Sequence, residues 1–298
     1  MGRARVSASI FGGLIAVLPM ALWGAVFVAV KSGERAGLPG LEFAAGRALP
    51  AGLVLAALAL SGVRRRAVAR SDYWPLAGMS VSIAAMYGIT FVFARRLPVA
   101  VDALLANASP LFAVALAALI LRERVSWRQV AGVVLGAAGV LVMALPAFNS
   151  SPADFWAMMA MLFGALMLAV NTIFMKIASG ADPIVANALQ FSGAGVLLLA
   201  ASAIFGERMV WPAMPEVLCA IAYVSLAATA FAYVLWMRAV TVVGVSRASV
   251  LLFLVPVFGL AWGWLFLRET VTLTELAGSL LVLLGIALAA REQRTVAI

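Results

Sequence analysis

The chain is 298 residues long, 65% hydrophobic and 11% charged, with a mean hydropathy of +1.12. Soluble domains carry about 25% charge, so the composition excludes a water-soluble globule and assigns most of the chain to lipid. Histidine is absent and Cys219 is the single cysteine; the commonest general base and metal ligand are therefore missing, as is any internal disulfide. No catalytic residue, metal site or cofactor is expected, and the chain does not read as an enzyme.

A bilayer crossing takes about 20 mostly apolar residues. By that measure the chain divides into ten spans, at 9–30, 41–62, 73–94, 98–121, 127–146, 154–176, 183–205, 215–237, 245–267 and 272–290. Span 1 follows Arg3 and Arg5 as a signal peptide would. Its apolar stretch runs from Ser9 to Val30, longer than the roughly 7–15 residues of a signal core, so it reads as a retained helix. The connections are short and hold no soluble domain; residues 1–8 and 291–298 read as tails.

The net charge of +9 lies in short clusters between the spans. That pattern reports membrane orientation and implies no nucleic-acid partner. Fourteen Lys and Arg residues, led by Arg64, Arg65, Arg66 and Arg70, fall on the side of the N-terminus and six on the other, with Arg47 inside span 2. Positive-inside bias places both termini in the cytoplasm.

Residues 109–144 and 255–290 align without a gap at an offset of 146, with thirteen identities. The shared positions include Pro110/Pro256, Arg122/Arg268, Glu123/Glu269, Gly132/Gly278 and Gly139/Gly285. The chain is thus two five-span repeats, 9–146 and 154–290. Five is odd, so the second repeat enters the membrane upside down relative to the first. The fold expected is an all-α integral membrane protein, ten transmembrane helices in two inverted repeats. The glycine-rich face of span 5, with Gly132 and Gly136, serves either a homodimer or packing within a monomer. No GK[ST] follows these glycines, which removes a phosphate loop and an ATP-driven pump.

Pro110 and Pro256 each sit near the middle of a span, where proline removes a backbone hydrogen bond. They are expected to bend spans 4 and 9 at equivalent points, as a pair of gates. Helical spacing then picks out faces. Span 1 offers Trp23, span 3 Ser80 and Tyr87, span 4 Asn107, span 6 Asn171, span 8 Thr229 and Tyr233, and span 9 Phe253. Tyr87 maps onto Tyr233 at the repeat offset. Polar atoms at mid-membrane depth need a partner, a water or a substrate. These positions describe a mostly apolar pocket with sparse hydrogen-bonding groups, suited to a small amphiphile. Arg47 and Asp102 enter spans 2 and 4 at similar depth. Either they pair, closing the outer mouth or meeting a zwitterion, or Arg47 snorkels beside a helix-start Asp.

The repeated P-x-F-(x8)-L-R-E-x-V-(x5)-A-G-(x6)-G pattern and the ten spans resemble the drug/metabolite transporter superfamily. The nearest branch is its ten-helix, two-repeat exporters of EamA type, closest to the bacterial aromatic amino acid exporters. The resemblance implies a helix bundle around a central cavity, with spans 5 and 10 at the periphery. It implies a small-molecule substrate, aromatic or hydrophobic amino acids first, exported by alternating access through a bacterial inner membrane. A multidrug or organic-cation exporter of the same fold, or a facilitative uniporter of other metabolites, stands as the alternative.

Overall fold

A backbone in hydrocarbon must satisfy its own hydrogen bonds, and the α-helix does so within one segment. The computed structural model describes residues 17–26, 29, 39–61, 68–93, 96, 105–148, 155–207, 215–268 and 271–290, and among these there is no strand. Their helices are α1 (Val17–Val26), α2 (Gly40–Leu60), α3 (Tyr73–Phe93), α4 (Ser109–Ile120), α5 (Trp127–Phe148), α6 (Phe155–Ile177) and α7 (Pro183–Ile204). Two composite helices, α8 (215–243) and α9 (245–267), and then α10 (Leu273–Ala290) complete them. Each overlaps one expected span; α2, α5 and α6 overrun theirs by one or two residues, and α8 continues six residues past the expected end at 237. Six stretches are long and apolar enough to cross a bilayer, in α2, α3, α6, α7, α8 and α9; α1, α4, α5 and α10 hold shorter apolar stretches. Both tails lie outside the described residues.

Local sequence explains the helix starts. Asp182 accepts hydrogen bonds from the amides of Ile184 and Val185 at 2.9 and 3.3 Å, and Pro183 opens α7. Ser126 and Gln129 form a reciprocal capping box before α5, and Thr272 and Glu275 form one before α10. These are counterparts at the 146 offset, so the repeat duplicates its caps as well as its apolar face. Arg122 and Arg268 both leave their helices in the left-handed region, at φ of 53° and 54°.

The inversion is visible in the packing of α5 against α10. A β-carbon on Gly132 would lie 2.5 Å from the carbonyl oxygen of Gly285, and one on Gly139 would lie 2.7 Å from that of Gly278. Numbers rise along α5 as they fall along α10, so the helices are antiparallel. Each glycine also meets the counterpart of the other, the reciprocity that a two-fold axis imposes. Equivalent helices running in opposite directions put the two repeats opposite ways up. The opposite face of α5 shows Trp127, Val130, Val134, Leu141 and Leu145, the side left for lipid. The glycine face proposed for a dimer or for internal packing is covered from within, by α10.

The second and seventh helices repeat the arrangement. Gly52 lies against the backbone of Ser192, and a β-carbon on Gly195 would lie 2.6 Å from Cβ of Leu49. An offset of 143 makes Gly52 the counterpart of Gly195 and Leu49 that of Ser192. On that offset Arg47 corresponds to Gln190.

Spans 4 and 9 do not bend about proline inside a continuous helix, as the sequence suggested. They break just before it. Asn107 and Ala108 form a turn, α4 starts at Ser109, and Pro110 sits in its first turn. In α9 the helix Val245–Val250 passes through a 3-10 turn at Leu251–Phe253 and resumes at Leu254, with Pro256 in the new first turn. The first turn of a helix has no use for the proline N–H, so there the residue starts a segment rather than kinking one. The eighth helix departs from symmetry: Tyr223–Phe231 is a π-helix, whereas its counterpart in α3 is α-helical throughout.

Candidate functional site

Four helices, α1, α3, α7 and α8, bring an aromatic cluster to the centre of the bundle, and α2 adds Arg47 beside it. The Trp23 ring lies 5.0 Å from that of Tyr233 and 5.7 Å from that of Trp236. Tyr233 meets Phe191 edge-on at 4.9 Å, and Phe191 stacks on Tyr87 at 6.5 Å. Tyr87, Phe191, Tyr233 and Trp236 are buried, so in this conformation the aromatic rings themselves occupy the space between the helices.

Arg47 closes one side of the cluster. It is 8% exposed, its guanidinium carbon sits 4.4 Å above the centre of the Tyr87 ring, and its Nε donates to Thr229 Oγ1 at 3.0 Å. Among the described residues it forms no ion pair. A guanidinium at this depth, balanced only by a ring face and a hydroxyl, is electrostatically suited to an anion. The π-helix sets its partner: Thr229 Oγ1 donates to the carbonyl of Val224 at 2.7 Å, five residues back, leaving a lone pair for Arg47. The same segment holds α1, because Trp23 Nε1 donates to the carbonyl of Ala228 at 2.7 Å. π-Helical turns occur frequently at functional sites.

The structure brings Trp23, Arg47, Tyr87, Thr229 and Tyr233 together. Asn171 lies next to this group, donating from Nδ2 to the carbonyl of Met79 at 2.9 Å and to Ser82 Oγ at 3.2 Å. Ser80 lies elsewhere: its hydroxyl donates to the Leu76 and Leu189 carbonyls and fills the notch above Gly193, joining α3 to α7. Asn107 is buried at the break before α4. Phe253 packs on Gly136 among Val114, Val133, Val140, Val250 and Val282, on the α5–α10 side of the bundle. Asp102 lies outside the described residues. A cavity of 620 Å³ flanks the site between α3 and α7, lined by Leu41, Ala84, Gly88, Ile89 and Leu198 with Glu207 at one end.

Sequence reasoning passed over Phe191, Trp236, Asn187 and Gln190, all under 2% exposed. A signal for Gln190 was present: aligning α2 with α7 at 143 rather than 146 sets it opposite Arg47.

At the end of the bundle where α4 finishes and α9 starts, Glu123 accepts hydrogen bonds from the amides of Val245 and Ser246 at 2.9 and 3.0 Å and from Ser246 Oγ at 2.7 Å. Beside it Lys176 Nζ donates to the carbonyl of Thr241 at 2.9 Å. Four helices meet there: the Glu123 contacts cross from the first repeat to the second, and the Lys176–Thr241 contact lies within the second.

Comparison with known proteins agrees with the repeat. The profile of the EamA-like transporter family matches residues 10–145 and, a second time, 155–291. A WAT1-related chloroplastic protein of Arabidopsis thaliana is 27% identical over 91% of this chain and 67% of its own length. Proteins of Salmonella typhimurium and Escherichia coli, each described as a probable amino-acid metabolite efflux pump, are 26% identical over 92% of this chain and 93% of theirs. One solved crystal structure overlays with a TM-score of 0.79 at 21% identity, covering 94% of this chain and 96% of the other, a likeness of fold alone.

Proposed function

The chain belongs to the EamA-like transporter family, and we propose that it exports aromatic and other hydrophobic amino acids by alternating access across a bacterial inner membrane, with both termini in the cytoplasm. The family is one of multi-pass membrane transporters, so a small-molecule substrate and a lipid surround follow from membership. The choice of amino acid rests on one observation above all. Arg47 is buried, forms no ion pair among the described residues, and borders Tyr87, Tyr233 and Trp23. A carboxylate meets the guanidinium and an apolar side chain meets the rings. The relatives described as amino-acid metabolite efflux pumps support the same class of cargo.

The two inverted repeats rock against each other, exposing the site first to the cytoplasm and then outward. The breaks before Pro110 and within α9 are the gating points, because a segment boundary bends at lower cost than a continuous helix. A buried guanidinium repels lipophilic cations, which places the amino acid ahead of the organic-cation exporter on the same fold.

Counterflow in proteoliposomes tests the reading. Vesicles loaded with unlabelled tryptophan are expected to accumulate labelled tryptophan transiently, and vesicles loaded with a cationic dye are not. Counterflow of the dye alone would overturn the proposal. Running the assay with and without a pH gradient separates proton-coupled export from a uniporter.

A further inference from the structure

Three buried amides, two of them on α7 within a turn of Phe191 and the third in contact with Gln190, have incomplete hydrogen bonding. Asn171, Asn187 and Gln190 are each 0% exposed. Asn171 Nδ2 is engaged by the Met79 carbonyl and Ser82, and lies 3.5 Å from Gln190 Oε1. Asn187 Nδ2 donates to the Pro183 carbonyl at 2.7 Å and lies 3.5 Å from Met237 Sδ. This leaves Asn171 Oδ1, Asn187 Oδ1 and Gln190 Nε2 without partners. Native interiors keep such atoms few, because each loses its hydration for nothing in return.

The unpartnered set has a definite chemistry: two acceptors and one donor, and no charge. It complements a neutral group that both gives and takes a hydrogen bond. A phenol hydroxyl donates to one of the acceptors while accepting from the donor, and an indole N–H donates to one acceptor. The position is equally specific. Asn187 and Gln190 are three apart on one face of α7, and Gln190 is next to Phe191, which packs on Tyr233 and Tyr87. On α3 the amide end is marked by Ser82 and the guanidinium end by Tyr87. Five residues of helix set these two markers about 7.5 Å apart along the α3 axis, comparable to the length of one aromatic amino acid from carboxylate to ring tip.

We propose that Asn171, Asn187 and Gln190 read the polar tip of an aromatic side chain whose carboxylate is held by Arg47, so that the preferred cargo is tyrosine- or tryptophan-like rather than phenylalanine-like. This inference rests on the carboxylate reading of Arg47 and adds the opposite end of the substrate. The pseudo-two-fold makes the two ends geometrically equivalent, because Arg47 and Gln190 are counterparts. Their chemistry makes the ends different, one cationic and one neutral. A site built around hydrogen-bonding groups rejects the analogue that lacks the partner more strongly than an apolar pocket rejects an extra hydroxyl.

The test is competition in the wild-type protein, which depends on no variant folding. Proteoliposomes exchanging labelled tyrosine are challenged with unlabelled tyrosine, tryptophan, phenylalanine and leucine. Tyrosine and tryptophan are expected to compete at concentrations about tenfold or more below phenylalanine. Equal competition by phenylalanine and tyrosine would overturn the amide reading and leave aromatic amino acid export standing. No competition by any of the four would overturn both. Gln190→Met, similar in length and apolar, is expected to raise the apparent KM for tyrosine about tenfold and leave that for phenylalanine unchanged. An equal loss for both substrates would reduce Gln190 to a packing residue and sink the proposal.

Discussion

Glu123 at the end of α4 and Ser246 at the start of α9 are joined by a 2.7 Å hydrogen bond from the serine hydroxyl to the carboxylate, across 123 positions of sequence and from one repeat to the other. The carboxylate also receives two backbone amides of α9, so an acid from the first repeat caps a helix of the second. Gly244, at φ of 90°, lets the chain turn into that cap. In the first repeat the glutamate of the L-R-E pattern therefore has an architectural role; its counterpart Glu269 lies outside the described residues.

Burial opposes the charge on Glu123, but the amide and hydroxyl of Ser246, the amide of Val245 and the charge of Lys176 together outweigh it, and the carboxyl is held below its ordinary range. A lowered folded-state value means the stabilisation is complete above the unfolded value of about 4.3 and fades as pH falls through the lowered one. Wild-type protein in detergent is expected to lose thermal stability below about pH 4, and Glu123→Gln is expected to lose less across that window. Glu123→Ala removes the cap and is expected to lower Tm by about 2–4 °C at neutral pH. Parallel pH profiles for wild type and Glu123→Gln would remove Glu123 from the account.

Gly139 and Gly278 determine how closely α5 and α10 approach. A β-carbon on Gly139 would lie 2.7 Å from the Gly278 carbonyl oxygen, a backbone atom that cannot swing aside. Gly139→Ala is expected to destabilise by about 1–3 kcal/mol, and Gly132→Ala by a similar amount, read as lowered Tm in detergent. Gly180 has open space around it, so Gly180→Ala serves as the control. Equal Tm for all three variants would contradict the tight reciprocal interface.

Arg47 is expected to separate stability from function. Replacing a buried charge that forms no ion pair among the described residues by an apolar group of similar length relieves the cost of its desolvation. Arg47→Met should hold or raise Tm, while amino acid counterflow falls more than tenfold. Arg47→Lys keeps the charge but loses the planar fork, and is expected to retain a small part of the flux. Full activity in Arg47→Met would disprove the carboxylate anchor.

Arg122 and Arg268 occupy equivalent, exposed ends of α4 and α9. In a Cys219→Ser background, Arg122→Cys and Arg268→Cys are expected to react with an impermeant thiol reagent from opposite faces of the membrane. Labelling from one face would contradict the inverted arrangement.

Much of the fold was legible because lipid imposes simple rules. The ten apolar stretches followed from hydropathy, and the offset of 146 followed from Pro110/Pro256 and the paired glycines. Even the capping boxes at Ser126–Gln129 and Thr272–Glu275 were written in the chain as S/T-x-x-E/Q, although the apolar repeat drew attention away from them. The site was legible only in part. Tyr87, Tyr233, Trp23, Thr229 and Arg47 do converge. Phe253, chosen on the same helical spacing, packs on Gly136 instead. Gln190 was missed because the second helix of each repeat aligns three residues out of step with the third to fifth.

The sequence by itself determined the number of spans, their duplication and, through odd parity, the opposed sense of the two halves. These depend on composition and count, and a slab of hydrocarbon reads both directly. Only tertiary structure decided which face of each helix turns inward. Lipid tails are as apolar as leucine, so hydropathy does not distinguish lipid from neighbour. The choice falls to close contacts such as Gly132 on Gly285 and to a few polar atoms that must find each other, as Arg47 finds Thr229 on a π turn.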